Sequence, residues 1–139
     1  MPSGGMDRQQ YLSTKFGSED NANSVYQRIA DEGEKNKIFF QFNKIAKTPN
    51  SFLSHKLLAY AHNKNKQTKV LELLFYKYFI EGEDIGSVNV LINVAKDADI
   101  YDENIEKYII SAKDNDSLLN EEKHAKNIGI NSVPCFIFN

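Results

Sequence analysis

The sequence predicts a mostly α-helical protein that ends in one short strand. Apolar residues recur at three- and four-residue spacing along most of the chain, which is the pattern of helices that bury one face. Polar stretches rich in asparagine, aspartate and glycine separate these runs. The last segment differs, because apolar residues surround Pro134 there, and proline is tolerated at the first residue of a strand.

Two helices are predicted before residue 36. Asp7 precedes the first, where a carboxylate complements the helix N-terminus, and Gly17 ends it. Ser18 and the acidic residues after it start the second helix, which ends at Gly33 or shortly after. Its apolar stripe consists of Ala22, Val25, Tyr26, Ile29 and Ala30.

The middle of the chain begins with an aromatic segment, 38–42, that we interpret as extended and as the one candidate partner for the C-terminal strand. Pro49 then pushes Thr48 away from helical geometry. Asn50 or Ser51 is a suitable N-cap for the helix that follows. That helix carries Phe52, Leu53, Leu57, Leu58 and Ala61.

The helix predicted over 68–80 has the broadest apolar face, so it should be the most buried element. The residues expected in the core are Leu71, Leu74, Phe75, Tyr78 and Phe79. Gly82 ends this helix, and three more helices begin near Ser87, Asp102 and Ser117. The prediction is therefore a run of about seven helices followed by a strand.

Composition indicates a single soluble globular domain. The chain has 139 residues, of which 41% are hydrophobic and 26% charged, and this length can bury a substantial core. A formal charge of −2 and the absence of a long run of like charges give no electrostatic footprint for nucleic acid or an anionic membrane. We therefore predict partners other than nucleic acids and membranes.

Cys135 is the only cysteine, which excludes an intrachain disulfide and a cysteine-based metal cluster. Its position inside an apolar strand predicts an inert, buried thiol, because apolar surroundings raise a thiol pKa. The three histidines have no shared metal-ligand spacing, so we interpret them as ordinary helix residues. The first residues lack the basic and apolar regions of a signal peptide, which predicts a cytoplasmic protein.

Four stretches, in order, resemble one known family. They are Gly5-Met6-Asp7-Arg8 with Tyr11-Leu12 and Lys15-Phe16-Gly17; Thr48-Pro49-Asn50-Ser51 with His55-Lys56-Leu57; Leu74 to Phe79 with Glu81 to Gly86; and Val133-Pro134 after Ile128-Gly129-Ile130. They resemble the DsbA-like thioredoxin-fold oxidoreductases of the FrnE type and their relatives, the glutathione-dependent 2-hydroxychromene-2-carboxylate isomerases. The order and spacing match from Gly5 to Phe138, which is nearly the whole chain.

The resemblance implies a specific division of the chain. Residues 1–130 would be the helical insertion domain, and 131–139 the cis-proline strand of a thioredoxin domain that is incomplete here at both ends. The Cys-x-x-Cys segment would lie outside this sequence, so no catalytic residue is expected within it. Val133 and Pro134 would contact the extended substrate chain, and Asn50 would line the substrate cleft unless it serves only as an N-cap.

The function implied is that of part of a thiol–disulfide oxidoreductase whose helical domain shapes the substrate cleft. Its partner would be a protein or small-molecule thiol or disulfide, and an exposed sheet edge would allow a homo-oligomer. No cofactor is expected. The alternatives are a glutathione-dependent isomerase-like enzyme, in which glutathione would bind, and a non-catalytic helical interaction module.

Overall fold

The computed structural model describes residues 1–132, 135, 136 and 138, and α-helices make up most of them. The described part of the chain contains a short antiparallel pair, β1 (Met6–Asp7) and β2 (Lys47–Thr48). The helices are α1 Arg8–Phe16, α2 Glu19–Lys35, α3 Phe52–His62, α4 Gln67–Tyr76, α5 Val88–Asp97, α6 Ile105–Ile110 and α7 Asn115–Asn127. The predicted mostly helical fold is confirmed.

The first two helices begin and end where the sequence predicts. The Asp7 carboxylate accepts a hydrogen bond from the Gln10 backbone N–H at 2.9 Å, which caps α1. Gly17 ends α1 in the left-handed conformation, with φ of 78°. The Ser18 hydroxyl then accepts from the Asn21 N–H at 3.2 Å and caps α2.

The hydrophobic core lies among α3, α4, α5 and α6. Its buried side chains come from all four helices and from the turn between α5 and α6. They are Leu57, Ala61, Val70, Leu74, Leu91, Val94, Ala95, Ala98, Ile100, Ile105 and Ile109. These four helices therefore share one interior, and α7 packs on its outside through α3.

The predicted burial of the fourth helix is correct at Leu74 and wrong at two other positions. Leu74 is 2% exposed, whereas Leu71 is 37% and Phe75 54% exposed. The buried line of α4 is Val70 and Leu74, four residues apart, and each neighbour along the chain is rotated about 100° from that line. Only this narrow line faces α3 and α5.

The end of the fourth helix turns toward the N-terminal half of the chain. A π-helical turn, Lys77–Glu81, continues α4, and Tyr78 and Phe79 on it are mostly buried, as predicted, although they lie outside the main core. Phe79 packs against Phe40 and Phe42 at centroid distances of 5.5 and 6.3 Å. Phe79 thus joins the end of α4 to the aromatic segment, and Tyr78 accepts a hydrogen bond from Arg8.

The segment 38–42 is not the strand that the sequence predicted. Its residues up to Gln41 lie outside regular structure, and Phe42–Lys44 forms a 3₁₀ turn. The Gln41 N–H donates to the Phe79 carbonyl at 2.8 Å, and Phe42 packs on Tyr26 at 4.8 Å. The side chains of this segment pack against other elements, and its backbone bonds to the π-helical turn. For this reason the segment does not pair as a strand with any described residue.

The β1–β2 pair was not predicted. Met6 pairs with Thr48 and Asp7 with Lys47, and the Arg8 N–H extends the pairing to the Ala46 carbonyl at 3.0 Å. Gly5 enters the pair with φ of 78°, and a Cβ there would lie 2.7 Å from the Thr48 carbonyl oxygen. Two residues on each side are too short to produce a visible alternating pattern.

The predicted C-terminal strand, 134–138, falls partly outside the described residues. Val133 and Pro134 are among those not described, so the strand, its cis-proline bond and the domain boundary at 130 stay predictions. Cys135, Phe136 and Phe138 are exposed and lie outside regular structure. The predicted burial of Cys135 is therefore wrong here, because the described residues around it form no strand that could join a sheet.

Candidate functional site

A cleft of about 750 Å³, here called the α3–α7 cleft, opens between the start of α3 and the first half of α7. One wall comes from the segment that enters α3, the other from one face of α7, and the N-terminal residue reaches the rim. The lining residues are Met1, Asn50, Ser51, Phe52, His55, Asn115, Leu118, Leu119, Glu121 and Glu122. The walls therefore combine amide, imidazole, carboxylate and apolar groups.

Asn50, predicted either as an N-cap or as a residue of the substrate cleft, lies just before α3 and lines the α3–α7 cleft. Its Oδ1 accepts a hydrogen bond from the Phe52 N–H at 3.0 Å, which satisfies a donor in the first turn of α3. Its Nδ2 donates to the Pro2 carbonyl at 3.1 Å and so ties down the N-terminal segment. The N-cap position itself belongs to Ser51, whose side chain makes no capping bond.

His55, interpreted from the sequence as an ordinary helix residue, lies in the α3–α7 cleft. Its Nδ1 lies 2.7 Å from the Ser51 carbonyl oxygen. A carbonyl only accepts, so Nδ1 carries the proton of this bond and Nε2 remains for a ligand. The signal that could have found His55 is its spacing from Ser51, because residues four apart share one face of a helix.

The α7 wall has apolar residues beside a polar group without a partner. Leu118 is half-buried and Leu119 is 47% exposed. The Asn115 Oδ1 is buried and accepts no hydrogen bond from any described residue. A buried acceptor in this state is costly, because it has lost its hydrogen bonds to water.

Glu122, at the rim of the α3–α7 cleft, forms an ion pair. Lys126 Nζ lies 2.6 Å from Glu122 Oε1, one turn further along α7. The hydrogen bond from Lys126 holds the pKa of the Glu122 carboxyl below its usual range. The Glu122 side chain therefore stays ionised at neutral pH.

A buried lysine fixes the position at which the chain leaves α6 for α7. Lys56 on α3 is wholly buried, and its Nζ donates to the Ser111 carbonyl at 2.5 Å. Burial lowers the pKa of Lys56. The Tyr108 hydroxyl donates to Asp114 Oδ2 at 2.9 Å, and burial followed by this bond raises the pKa of Tyr108 to about 12. These contacts position the start of α7, and so one wall of the α3–α7 cleft.

The arrangement suits binding better than covalent chemistry. None of the described lining residues is a cysteine, and among the described residues no group of three His, Cys, Asp or Glu side chains could hold a metal ion. Amide and imidazole groups can hydrogen-bond an extended backbone, while Leu118 and Phe52 offer apolar contact. Val133 and Pro134, the other predicted substrate-binding residues, lie outside the described residues, and their place relative to Asn50 stays a prediction.

Comparison with solved structures supports the predicted fold. The chain superposes on a probable DsbA oxidoreductase from Streptomyces coelicolor with a TM-score of 0.82 and 17% sequence identity, over 93% of this chain. It spans 56% of the length of that protein. At this identity the similarity shows the fold alone.

The remaining comparisons concern the family and the membrane. No curated protein matches the sequence. Within the described residues, no helix has both the length and the apolar composition needed to cross a membrane. A family model described as the DSBA-like thioredoxin domain matches residues 1–139. Together with the predicted and observed helical architecture, this match shows that the chain belongs to the DSBA-like thioredoxin domain family.

Proposed function

We propose that this chain is the helical part of a DsbA-like thiol–disulfide oxidoreductase, and that the α3–α7 cleft holds the substrate chain beside the reacting disulfide. The observation that carries the proposal is the cleft itself. Asn50 and His55 present polar groups on one wall, and α7 presents Leu118 with the carboxylates of Glu121 and Glu122 on the other. Such a mixture fits a polypeptide, which offers both backbone donors and apolar side chains.

The reacting dithiol would lie outside these 139 residues, because Cys135 is the only cysteine. A thiolate of that dithiol would attack one sulfur of the substrate disulfide and release the other as a thiolate. The second thiol of the dithiol, once deprotonated, would then resolve the mixed disulfide. The substrate gains two electrons and the dithiol becomes a disulfide. The partner would be a protein or small-molecule disulfide, and the reverse direction would oxidise a substrate dithiol.

The segment 131–139 contributes the second part of the proposal. It follows directly from α7, the helix that forms one wall of the α3–α7 cleft. In a thioredoxin-type arrangement, the Val133 backbone beside a cis-Pro134 would pair with the extended substrate chain. The substrate would then lie between this segment and the cleft.

The first test measures the reduction of insulin disulfides by dithiothreitol. We expect the 139-residue chain alone to leave the rate at its uncatalysed value, and a protein that joins it to the coding sequence upstream of Met1 to accelerate it. Acceleration by the chain alone that Cys135→Ser abolishes would contradict the proposal. A Ser-x-x-Cys segment upstream, with glutathione-dependent isomerisation in place of insulin reduction, would instead support an isomerase-like enzyme.

The second test asks whether the α3–α7 cleft binds the protein substrate. In the longer protein, Asn50→Ala should raise KM for insulin while leaving the reduction of a small aromatic disulfide unchanged. Asn63→Ala is the matched control, since Asn63 is exposed at the other end of α3 and lies outside the described cleft lining. Equal effects of the two variants, or an equal loss with both substrates, would refute the role of the cleft.

A further inference from the structure

A second cleft, of about 480 Å³, shares none of the described lining residues of the α3–α7 cleft. We call it the Arg8 cleft. Its walls come from α1, α2 and the aromatic segment. It is lined by Arg8, Gln9, Leu12, Glu19, Asn23, Tyr26, Gln27, Ala30, Phe40, Phe42, Asn43 and Ile45.

Arg8 carries a positive charge that the described residues do not neutralise. Its side chain is only 8% exposed, yet no described carboxylate lies within the 4.0 Å limit for an ion pair with it. Its guanidinium lies 4.6 Å from the centre of the Tyr26 ring. Buried charges in proteins are normally paired, so an unpaired buried arginine calls for a partner.

The hydrogen bonds of Arg8 are weak and leave part of the guanidinium unused. Nη1 donates to the hydroxyls of Thr48 at 3.5 Å and Tyr78 at 3.3 Å, which is long for a charged donor. Nε and Nη2 donate to no described residue. Neither is sealed from solvent, because Asn115 Oδ1 is the one enclosed side-chain polar atom without a partner among the described residues. These two nitrogens form the edge of the guanidinium that fits a carboxylate bidentately.

The other groups of the Arg8 cleft limit the class of ligand. Leu12, Tyr26 and Phe42 provide an apolar and aromatic wall, and Asn23 and Gln27 provide neutral amide donors. Glu19 also lines the cleft and would repel a second negative charge. From these observations we infer that the Arg8 cleft is a binding site for a monocarboxylate with an apolar or aromatic body, held by Arg8. This inference goes beyond the proposed oxidoreductase function and does not rest on it.

Benzoate is the probe for this site. Benzamide is the uncharged control of nearly the same shape, and inorganic phosphate is the control that carries more negative charge. Binding to the 139-residue chain is followed by two-dimensional amide NMR. We expect saturable shifts at Gln9 and Tyr26 with a Kd on the order of 1 mM, as befits a ligand of this size. Benzamide and phosphate should each bind at least about 10-fold more weakly, because one lacks the charge that pairs with Arg8 and the other is repelled by Glu19.

A variant that adds a negative charge beside Arg8 tests the site without removing the hydrogen bonds of Arg8. Arg8→Gln should abolish binding, but it also removes the bonds to Thr48 and Tyr78. Asn23→Asp places a carboxylate in the Arg8 cleft from an exposed position on α2, and it should weaken benzoate binding at least about 5-fold through repulsion and competition for Arg8. Ser24→Asp adds the same charge at the adjacent exposed position, outside the described lining, and should leave the Kd unchanged.

Several results would overturn the inference. They are equal binding of benzoate and benzamide, phosphate binding as tight as that of benzoate, equal effects of Asn23→Asp and Ser24→Asp, and the lack of any saturable shift at Gln9 and Tyr26. The predicted pattern, with benzoate alone binding and Asn23→Asp alone weakening it, would support a carboxylate site at Arg8.

Discussion

The two walls of the α3–α7 cleft belong to very different parts of the molecule. Helix α3 is built into the core, where Leu57 and Ala61 are wholly buried against α4, α5 and α6. Helix α7 has no buried residue among those described, and Leu119 on it and Ile128 at its C-cap are about half exposed. The cleft therefore has one wall that is part of the hydrophobic core and one wall that is held by few contacts.

This contrast matters for function because elements that bind and release ligands come from the less stable parts of a protein. The contacts that hold the start of α7 are polar: Lys56 to Ser111, and Tyr108 to Asp114. Such contacts contribute much less than the burial of several leucine and isoleucine side chains. We therefore expect α7 to open locally while α3 to α6 stay folded.

The largest expected effect is a difference in the free energy of unfolding between a leucine-to-alanine substitution in α4 and one in α7. Leu74→Ala should lower the free energy of unfolding by about 2–5 kcal/mol, because it removes a side chain that is 2% exposed from a core that cannot collapse fully. Leu119→Ala should change it by less than about 0.5 kcal/mol, because that side chain is 47% exposed. Urea unfolding of the two variants measures the difference, and similar losses would remove the contrast.

A smaller effect is expected at the link between α6 and α7. Tyr108→Phe removes the hydrogen bond to Asp114 and should cost about 1 kcal/mol. The pKa of Tyr108 is raised in the folded state from 10.0 to about 12, so its contribution is complete below pH 10 and is lost as the pH rises toward 12. The difference between the parent and Tyr108→Phe should therefore shrink above pH 10 in urea unfolding.

The exposed Tyr76 on α4 supplies the control, since its side chain donates to no described residue. Tyr76→Phe should leave the stability unchanged at neutral pH. A difference for Tyr108→Phe that stays constant between pH 8 and pH 11, or that matches Tyr76→Phe, would show that the Tyr108 bond does not stabilise the fold.

The smallest expected effect on stability concerns the bonds between α3 and the segment just before α6. The Tyr60 hydroxyl on α3 donates to Asp102, before α6, at 2.5 Å, and Lys64 Nζ lies 3.0 Å from the same oxygen. These bonds lower the pKa of Asp102 from 3.8 to about 2, with the Tyr60 bond as the largest cause. A lowered carboxyl pKa stabilises the fold above pH 4, and this contribution is lost as the pH falls toward 2.

Asp102→Asn should therefore be slightly less stable than the parent at pH 7 and equal to it at pH 2. Thermal unfolding at several pH values checks this. Asp116→Asn on α7, also an exposed acidic position, is the control for the loss of one negative charge. A parent and an Asp102→Asn variant that differ equally at pH 7 and pH 2 would contradict the assignment.

The sequence was sufficient for the parts of the fold that local rules determine. The N-cap at Asp7, the left-handed ends at Gly17 and Gly82, and the start of α5 after Ser87 all lie where capping and glycine preferences predict. Leu74 was correctly predicted in the core because it lies on the helix with the broadest apolar face. These features depend on a residue and its near neighbours.

The features that the sequence did not reveal depend on contacts between distant residues. Leu71 and Phe75 are exposed because only one narrow line of α4 faces its neighbours, which periodicity cannot distinguish on a helix with a broad apolar face. The aromatic segment is irregular because Phe79, far along the chain, accepts the Gln41 N–H through its carbonyl. In the α3–α7 cleft, Asn50 was predicted from the family resemblance, whereas His55 and Asn115 required the placement of α7.

The most direct test of this account is hydrogen exchange of the 139-residue chain, with and without a saturating amount of carboxymethylated insulin B chain. Without the peptide, α7 amides should exchange through local opening, with free energies well below those of the slowest α3 and α5 amides. With the peptide, exchange in α7 should slow about 10-fold or more, while the slowest α5 amides change far less. Exchange of α7 together with the core, or an α7 rate that the peptide leaves unchanged, would contradict a binding cleft with one movable wall.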